Sequence, residues 1–183
     1  MEKEFNKNER SAVLLMAKGK DGENTMVVDT MRIWAINHGC KIIFEGPAKY
    51  DDEACGIHYC KMLDHPIYPE LRDYITSGLS WGMIVVGTRE QLRELKKSVG
   101  KPVNPAPDTL RGKLFAKTGR TEDKNFVHCS DVDELDFDGK PLAMKEIANY
   151  KNVYETVNAI SADVDITLGL KDETPPVIQL WEE

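Results

Sequence analysis

The most specific chemical signal in this sequence is the heptapeptide NFVHCSD at residues 125–131. It places His128 after two apolar residues and close to hydroxyl and carboxylate side chains. Neutral imidazole is nucleophilic near pH 7, and polar neighbours can fix its tautomer. Because side chains alternate along a strand, a strand here would put Phe126 and His128 on one face. Asn125 and Val127 would share the other. So short a motif, taken alone, still favours a histidine that serves packing only.

Several other kinds of active site are disfavoured by motifs that the sequence lacks. It has no P-loop, no GxGxxG after a strand, no HExxH and no GxSxG. The four cysteines, Cys40, Cys55, Cys60 and Cys129, form no CxxC pair, so reduced thiols are expected. Cys129 follows His128 and raises the alternative of redox control, but a quiet buried thiol is the favoured interpretation.

Length and charge limit the classes of function further. The 183 residues suit one domain, and 24 basic against 31 acidic residues give a net charge of -7. This acidity argues against a broad grip on nucleic acid or on an anionic membrane. The apolar runs are too short to span a bilayer, and residues 1–10 do not resemble a secretory signal. We therefore expect a cytoplasmic protein without nucleic-acid or membrane partners.

The elements that must position His128 are short apolar runs and amphipathic segments. Strands are predicted at residues 11–17, 40–44, 81–86 and 125–128. Helices are predicted at residues 26–37, 51–63, 69–77, 88–99 and 141–150. Residues 101–108 are expected to form a proline-rich loop, and Val164, Ile166 and Leu168 alternate like a strand. This uneven alternation predicts an α+β sandwich, with one sheet covered by helices.

An ordered series of motifs changes how the heptapeptide is interpreted. In chain order they are Glu9-Arg10, Gly39-Cys40-Lys41-Ile42-Ile43, His58-Tyr59, Pro66-Ile67-Tyr68-Pro69, Asn104-Pro105, Thr109-Leu110-Arg111-Gly112, Gly119-Arg120, NFVHCSD and Lys145-Glu146-Ile147. The series resembles, in register, the signature of the nucleoside diphosphate kinase family. Agreement over so many separate segments is rarely produced by chance.

The resemblance implies transfer of the terminal phosphoryl group from ATP or another nucleoside triphosphate to a nucleoside diphosphate. The reaction would be ping-pong and would pass through a phosphohistidine. His128 takes the position of the nucleophile, and Glu146 that of the carboxylate that orients its ring. Ser130 is the supporting hydroxyl, and Tyr59 is the tyrosine beside the histidine. Mg²⁺ would be bound through the nucleotide phosphates, so no metal site made of protein side chains is implied.

The resemblance also implies a set of nucleotide-binding residues. Arg111 would clamp the phosphates, Asn125 would contact ribose and phosphate, and Leu71 would contact the base. Lys18, with Lys20 as the second candidate, stands for the family's phosphate-binding lysine.

Some of these positions depart from the family pattern. Ile67 replaces an aromatic base platform, and Lys97 or Lys96 replaces a second phosphate-binding arginine. Val103 replaces a threonine, and Cys129 replaces a glycine. These departures motivate the alternative of a degenerate nucleotide-binding or scaffolding member without efficient turnover.

The resemblance implies a ferredoxin-like βαββαβ sandwich with a four-stranded antiparallel sheet. Residues 1–151 would form the kinase-like domain, and residues 152–183 a C-terminal extension packed on it. Members of the family form homo-oligomers, so a tetramer or hexamer is expected. Base selectivity should be loose, because the family holds the base by apolar contacts.

Overall fold

A computed structural model describes residues 8–120 and 124–167, with side chains described as far as residue 156. The strands are β1 (Arg10–Ala17), β2 (Lys41–Ala48), β3 (Ser80–Thr88) and β4 (Val127–Cys129). The helices are α1 (Thr25–Asn37), α2 (Asp52–His58), α3 (Tyr68–Ile75), α4 (Arg89–Val99), α5 (Leu110–Thr118) and α6 (Leu142–Thr167). A 3₁₀ turn, Gly19–Glu23, follows β1. Among the described residues, no helix is long and apolar enough to cross a membrane.

The four strands form one antiparallel sheet in the order β2-β3-β1-β4. β1 is central, and its residues 12–17 are all buried, because the sheet is covered on both faces. One apolar cluster lies between the sheet and α1, α4 and α5, and a second lies between the sheet, α2 and α6. The described sheet and helices confirm the predicted α+β, ferredoxin-like sandwich.

The helices around the site begin and end where local chemistry predicts. Asp51 caps α2 by accepting a hydrogen bond from the Ala54 amide at 2.8 Å. Thr88 and Gln91 form a capping box at the start of α4, and Gly100 ends that helix with φ of 91°. Thr109 caps α5 through the Gly112 amide.

Two sequence predictions about elements were wrong, and one helix was missed. Helix α5 was not predicted, because TLRG carries no clear apolar periodicity. The predicted helix at 51–63 ends at His58, and turns follow it. Residues 164–167 are helical rather than extended, because α6 continues from Leu142 to Thr167; Leu168 lies outside the described residues. Alternation over so few residues is a weak signal beside an established helix.

Candidate active site

The centre of the candidate site is a histidine held by a buried carboxylate. His128 lies on β4 with 17% of its side chain exposed, and Glu146 lies on α6 with 5% exposed. His128 Nε2 is 2.8 Å from Glu146 Oε2. Ser130 Oγ donates to the same carboxylate oxygen and also accepts from the Leu14 amide at 3.0 Å. Ser130 therefore supports the carboxylate, and only through it the imidazole ring.

The electrostatics of the pair set the tautomer of His128. Burial alone would raise the pKa of Glu146, but the His128 ring and the Ser130 hydroxyl outweigh it and hold the pKa at about 2. Burial lowers the pKa of His128, against an opposing effect of Glu146, so the ring is neutral at pH 7. An ionised carboxylate only accepts hydrogen bonds, so Nε2 carries the proton. Nδ1 consequently keeps the lone pair that a nucleophile needs.

The sequence predicted an extended backbone just before His128, and this prediction was wrong. Phe126 has φ of 62°, and β4 begins only at Val127. The left-handed turn puts the Phe126 ring into the cluster under α1, α4 and α5, together with Val127 and Cys129. The prediction that Phe126 and His128 share a face was therefore wrong. His128 pairs with Met16, whose side chain belongs to the opposite cluster.

The left-handed turn at Phe126 is held from three sides. Its amide donates to Tyr74 Oη at 3.1 Å, and its carbonyl accepts from the Lys18 amide at 2.9 Å. The Arg120 guanidinium lies 4.0 Å from the centre of its ring. Arg120 forms two hydrogen bonds, of 2.8 and 2.9 Å, to the buried Asp21, which also accepts from Tyr74 Oη. In the sequence, Gly119-Arg120 served only as one motif of the family resemblance. The pairing of Arg120 with Asp21 was not predicted.

Arg111 is bound to backbone carbonyl groups. Its guanidinium donates to Gly100 O at 2.5 Å, Val127 O at 2.6 Å and Asn125 O at 3.3 Å. These bonds tie the end of α4 to the segment that carries His128. Since a guanidinium has five N–H groups, donors remain for a ligand.

A cavity of about 400 Å³ opens beside this segment. Its lining brings together four residues that the sequence assigned to a nucleotide, Lys18, Ile67, Leu71 and Asn125. Glu70, Asp73, Tyr74 and Lys124 complete the lining. Tyr59, Lys97 and Arg111 do not line it.

The structure distinguishes the lysine candidates. Lys18 is 3% exposed and donates to Asn125 Oδ1, whereas Lys20 is exposed. Burial, followed by repulsion from Arg111, lowers the pKa of Lys18 to about 7. Lys96 donates to the Cys129 carbonyl, whereas Lys97 is exposed.

His58 is a residue of the site that sequence reasoning missed. Its ring is 2% exposed and lies edge-on to His128, with 4.3 Å between the ring centres. Tyr59 lies farther away, 6.4 Å from His128 by the same measure. The signal for His58 was its place in the His58-Tyr59 motif, since helical spacing from Ala54 and Cys55 turns it inward.

Cys129 has none of the properties of a reactive thiol. It is fully buried, and burial raises the pKa of its thiol to about 12. A redox cysteine needs an exposed thiol with a lowered pKa. The structure therefore favours the quiet buried thiol.

The fold and the site together define the class of protein. It is an α+β sandwich with a histidine held by a buried carboxylate and a cavity lined by Lys18 and Asn125. The family model described as nucleoside diphosphate kinase matches residues 19–139. The match spans more than half of the chain, which therefore belongs to the nucleoside diphosphate kinase family.

Individual relatives are similar over about half of the chain. The nucleoside diphosphate kinase of Methanosarcina mazei is 36% identical over 102 residues, or 54% of this chain and 65% of the relative. That of Natronomonas pharaonis is 30% identical over 99 residues, or 53% of this chain and 61% of the relative. The matched regions thus span less than two thirds of these relatives.

Solved structures show the same fold. A nucleoside diphosphate kinase of Halobacterium salinarum in complex with CDP has a TM-score of 0.64 and 24% identity, covering 78% of this chain and 88% of that one. The nucleoside diphosphate kinase of Aquifex aeolicus has a TM-score of 0.62 and 20% identity, covering 77% of this chain and 94% of that one.

Proposed function

We propose that this protein transfers the terminal phosphoryl group of a nucleoside triphosphate to a nucleoside diphosphate through a phosphohistidine on His128. One observation carries the proposal: Glu146 engages Nε2 at 2.8 Å, which leaves the lone pair of a neutral ring on Nδ1. A nucleophilic histidine in a family of phosphotransferases is suited to this reaction.

In the proposed first step, Nδ1 attacks the terminal phosphorus. The N–P bond forms while the bridging P–O bond breaks, and the nucleoside diphosphate leaves with the electron pair. The ring becomes more positive as it is phosphorylated, and the ionised Glu146 stabilises that charge. A second diphosphate then takes the phosphoryl group by the reverse chemistry, which restores neutral His128.

The cavity lined by Lys18 and Asn125, three residues before His128 in the chain, is the proposed nucleotide site. Ile67 and Leu71 supply apolar contact for the base, and Lys18 with Asn125 lies toward ribose and phosphate. The remaining donors of Arg111 and the exposed Lys97 would bind phosphate oxygens. Tyr59 would form the wall of the site behind His128.

Mg²⁺ would enter as part of the substrate. The buried carboxylates described at the site already have partners: Asp21 accepts from Arg120, and Glu146 from His128 and Ser130. The donor set therefore suits a cation held by phosphates and water.

We further propose a cytoplasmic homo-oligomer, a tetramer or a hexamer. β2 forms one edge of the sheet, and Ile33, Ile36 and Ile43 near it are exposed. The division at residue 151 remains a proposal. Helix α6 runs through it, and Val153 and Tyr154 just beyond it pack near Phe44.

The alternative of binding without turnover has one observation in its favour. Arg111, the proposed phosphate clamp, is already bound to three carbonyl oxygens, and Ile67 offers no ring for stacking.

Incubation with γ-labelled ATP and Mg²⁺ tests the proposal. We expect an acid-labile phosphoenzyme that transfers its label to added diphosphate and that is absent in His128→Ala. His65→Ala, at an exposed histidine, is the matched control and should label normally. Folded wild-type protein that binds nucleotide but never becomes labelled would contradict the proposal and support the alternative.

A further inference from the structure

We propose that His58, His128 and Glu146 form a binding site for Zn²⁺, and that zinc bound there blocks phosphorylation of His128. The binding site stands on the geometry alone. Only the inhibitory consequence rests on the proposed function.

The first observation is the unsatisfied imidazole of His58. It is 2% exposed, and neither Nδ1 nor Nε2 has a hydrogen-bond partner among the described residues. Buried polar atoms usually have hydrogen-bond partners, because leaving one unpaired destabilises the fold. The His58 ring packs in T-shaped pairs with the rings of His128, Tyr59 and Tyr50. A ligand at its nitrogen would remove this destabilisation.

The second observation is that possible ligand atoms converge. One atom each from His58, His128 and Glu146 lies within 4.8 Å of the other two. A point within about 2.8 Å of all three therefore exists, and zinc bonds are about 2.0–2.2 Å long. An inward movement of less than about 1 Å at each side chain would close the site.

The types of the three ligand atoms indicate which metal ion would bind. Two imidazole nitrogens and one carboxylate oxygen, with a fourth position for water, match zinc in tetrahedral coordination. Mg²⁺ prefers oxygen ligands in an octahedral arrangement and is not expected to compete here.

Zinc bound at this site would block the attacking nitrogen, whichever ring nitrogen of His128 coordinates the ion. A neutral imidazole has one lone pair and one N–H. If zinc binds Nδ1, it occupies the attacking atom directly. If zinc binds Nε2, it takes the place of the proton that Nε2 donates to Glu146. A neutral ring must then carry its proton on Nδ1. In both cases, Nδ1 of His128 has no free lone pair with which to attack the terminal phosphorus.

Titration of the nucleotide-free protein with Zn²⁺, and with Co²⁺ as a spectroscopic probe, tests the site directly. We expect one equivalent to bind, with a visible spectrum typical of tetrahedral Co²⁺. His58→Phe keeps an aromatic ring but removes the nitrogens, and it should weaken binding by roughly tenfold or more. His65→Gln, at an exposed histidine, should bind as wild type does. Glu146→Gln is a second variant in case His58→Phe does not fold.

The functional arm measures labelling by γ-labelled ATP after exposure to Zn²⁺. We expect zinc to remove the labelling of the wild type and a chelator to restore it. In His58→Phe, the ratio of labelling with zinc to that variant's own labelling without zinc should stay close to one, whatever its basal rate. Absence of stoichiometric binding in wild type, or equal affinity in folded His58→Phe, would overturn the site and indicate that a buried water satisfies His58. Failure to label even with a chelator would contradict the proposed function but leave the binding result intact.

Discussion

The pKa values of two buried residues at the site are both lowered, with opposite effects on their charge. Glu146 is surrounded by donors, so its pKa falls to about 2 and the carboxylate stays charged. Lys18 is buried with Arg111 nearby, so its pKa falls to about 7 and much of its charge is lost near neutrality. The difference lies in the partners, since burial disfavours charge in both cases. The sequence predicted both roles, but neither protonation state could be inferred without knowing these partners.

The pKa of Lys18 makes a prediction about stability against pH. Between about pH 7 and 10.5 the unfolded chain holds the lysine proton while the native protein does not. The free energy of unfolding attributable to Lys18 should therefore rise with pH across that window, and the penalty of burying its charge remains in full below it.

Denaturant unfolding at pH 7 and pH 9 measures this effect. The wild-type protein should gain about 2 kcal/mol more than Lys18→Met over this interval. Lys20→Met, at an exposed lysine, should follow the wild type. Equal pH dependence in wild type and Lys18→Met would show that Lys18 titrates normally.

At the scale of elements, the site depends on joining β4 to the turn after β1. Arg120 and Asp21 lie 99 positions apart in the sequence, yet their pair lies directly against Phe126. The pair stabilises a left-handed residue that begins the strand carrying His128. Sequence periodicity could not reveal this, because a positive φ at a phenylalanine contradicts its local preference.

Arg120→Met tests this link. The substitution leaves the carboxylate of Asp21, 7% exposed, without its cation, so we expect a loss of roughly 3 kcal/mol in the free energy of unfolding. Arg72→Met removes an exposed ion pair with Asp73 and should change the free energy of unfolding much less. The double variant Asp21→Asn, Arg120→Met should recover part of the loss. Similar, small effects of the two arginine variants would contradict the role given to Arg120.

Across the whole molecule, α6 joins the candidate active site on β4 to strands β2 and β3. Glu146 lies on the same helix as Tyr150, whose hydroxyl donates to carbonyls of β2 and β3, Gly46 O at 2.8 Å and Gly82 O at 3.0 Å. The ring of Tyr150 lies over Gly82, where a side chain would collide with it. The position of the Glu146 carboxylate is thus set by packing one turn along the helix.

Gly82→Ala tests that packing. A Cβ at this position would lie 2.3 Å from Tyr150 Cε2, so we expect destabilisation of about 1–3 kcal/mol and a lower rate of phosphoenzyme formation. Gly56→Ala in α2 meets its nearest neighbour at 3.5 Å and should be neutral or slightly stabilising. Unfolding and labelling rates, measured on both variants, decide between these outcomes. An unchanged Gly82→Ala protein would contradict the role of Tyr150.

Local pattern and ordered motifs determined most of the architecture and the candidate residues of this protein. Some features are properties of neighbouring residues, so the sequence alone suffices to detect them. These are the apolar run of β1, the caps of the helices and the order of TLRG, Gly119-Arg120 and NFVHCSD. The tertiary structure alone decided that Nε2 of His128 is bound to Glu146, that Arg111 binds carbonyl groups, and that His58 lies against His128. These facts depend on contacts between residues distant in the chain, and on the burial that sets the energy of each charge.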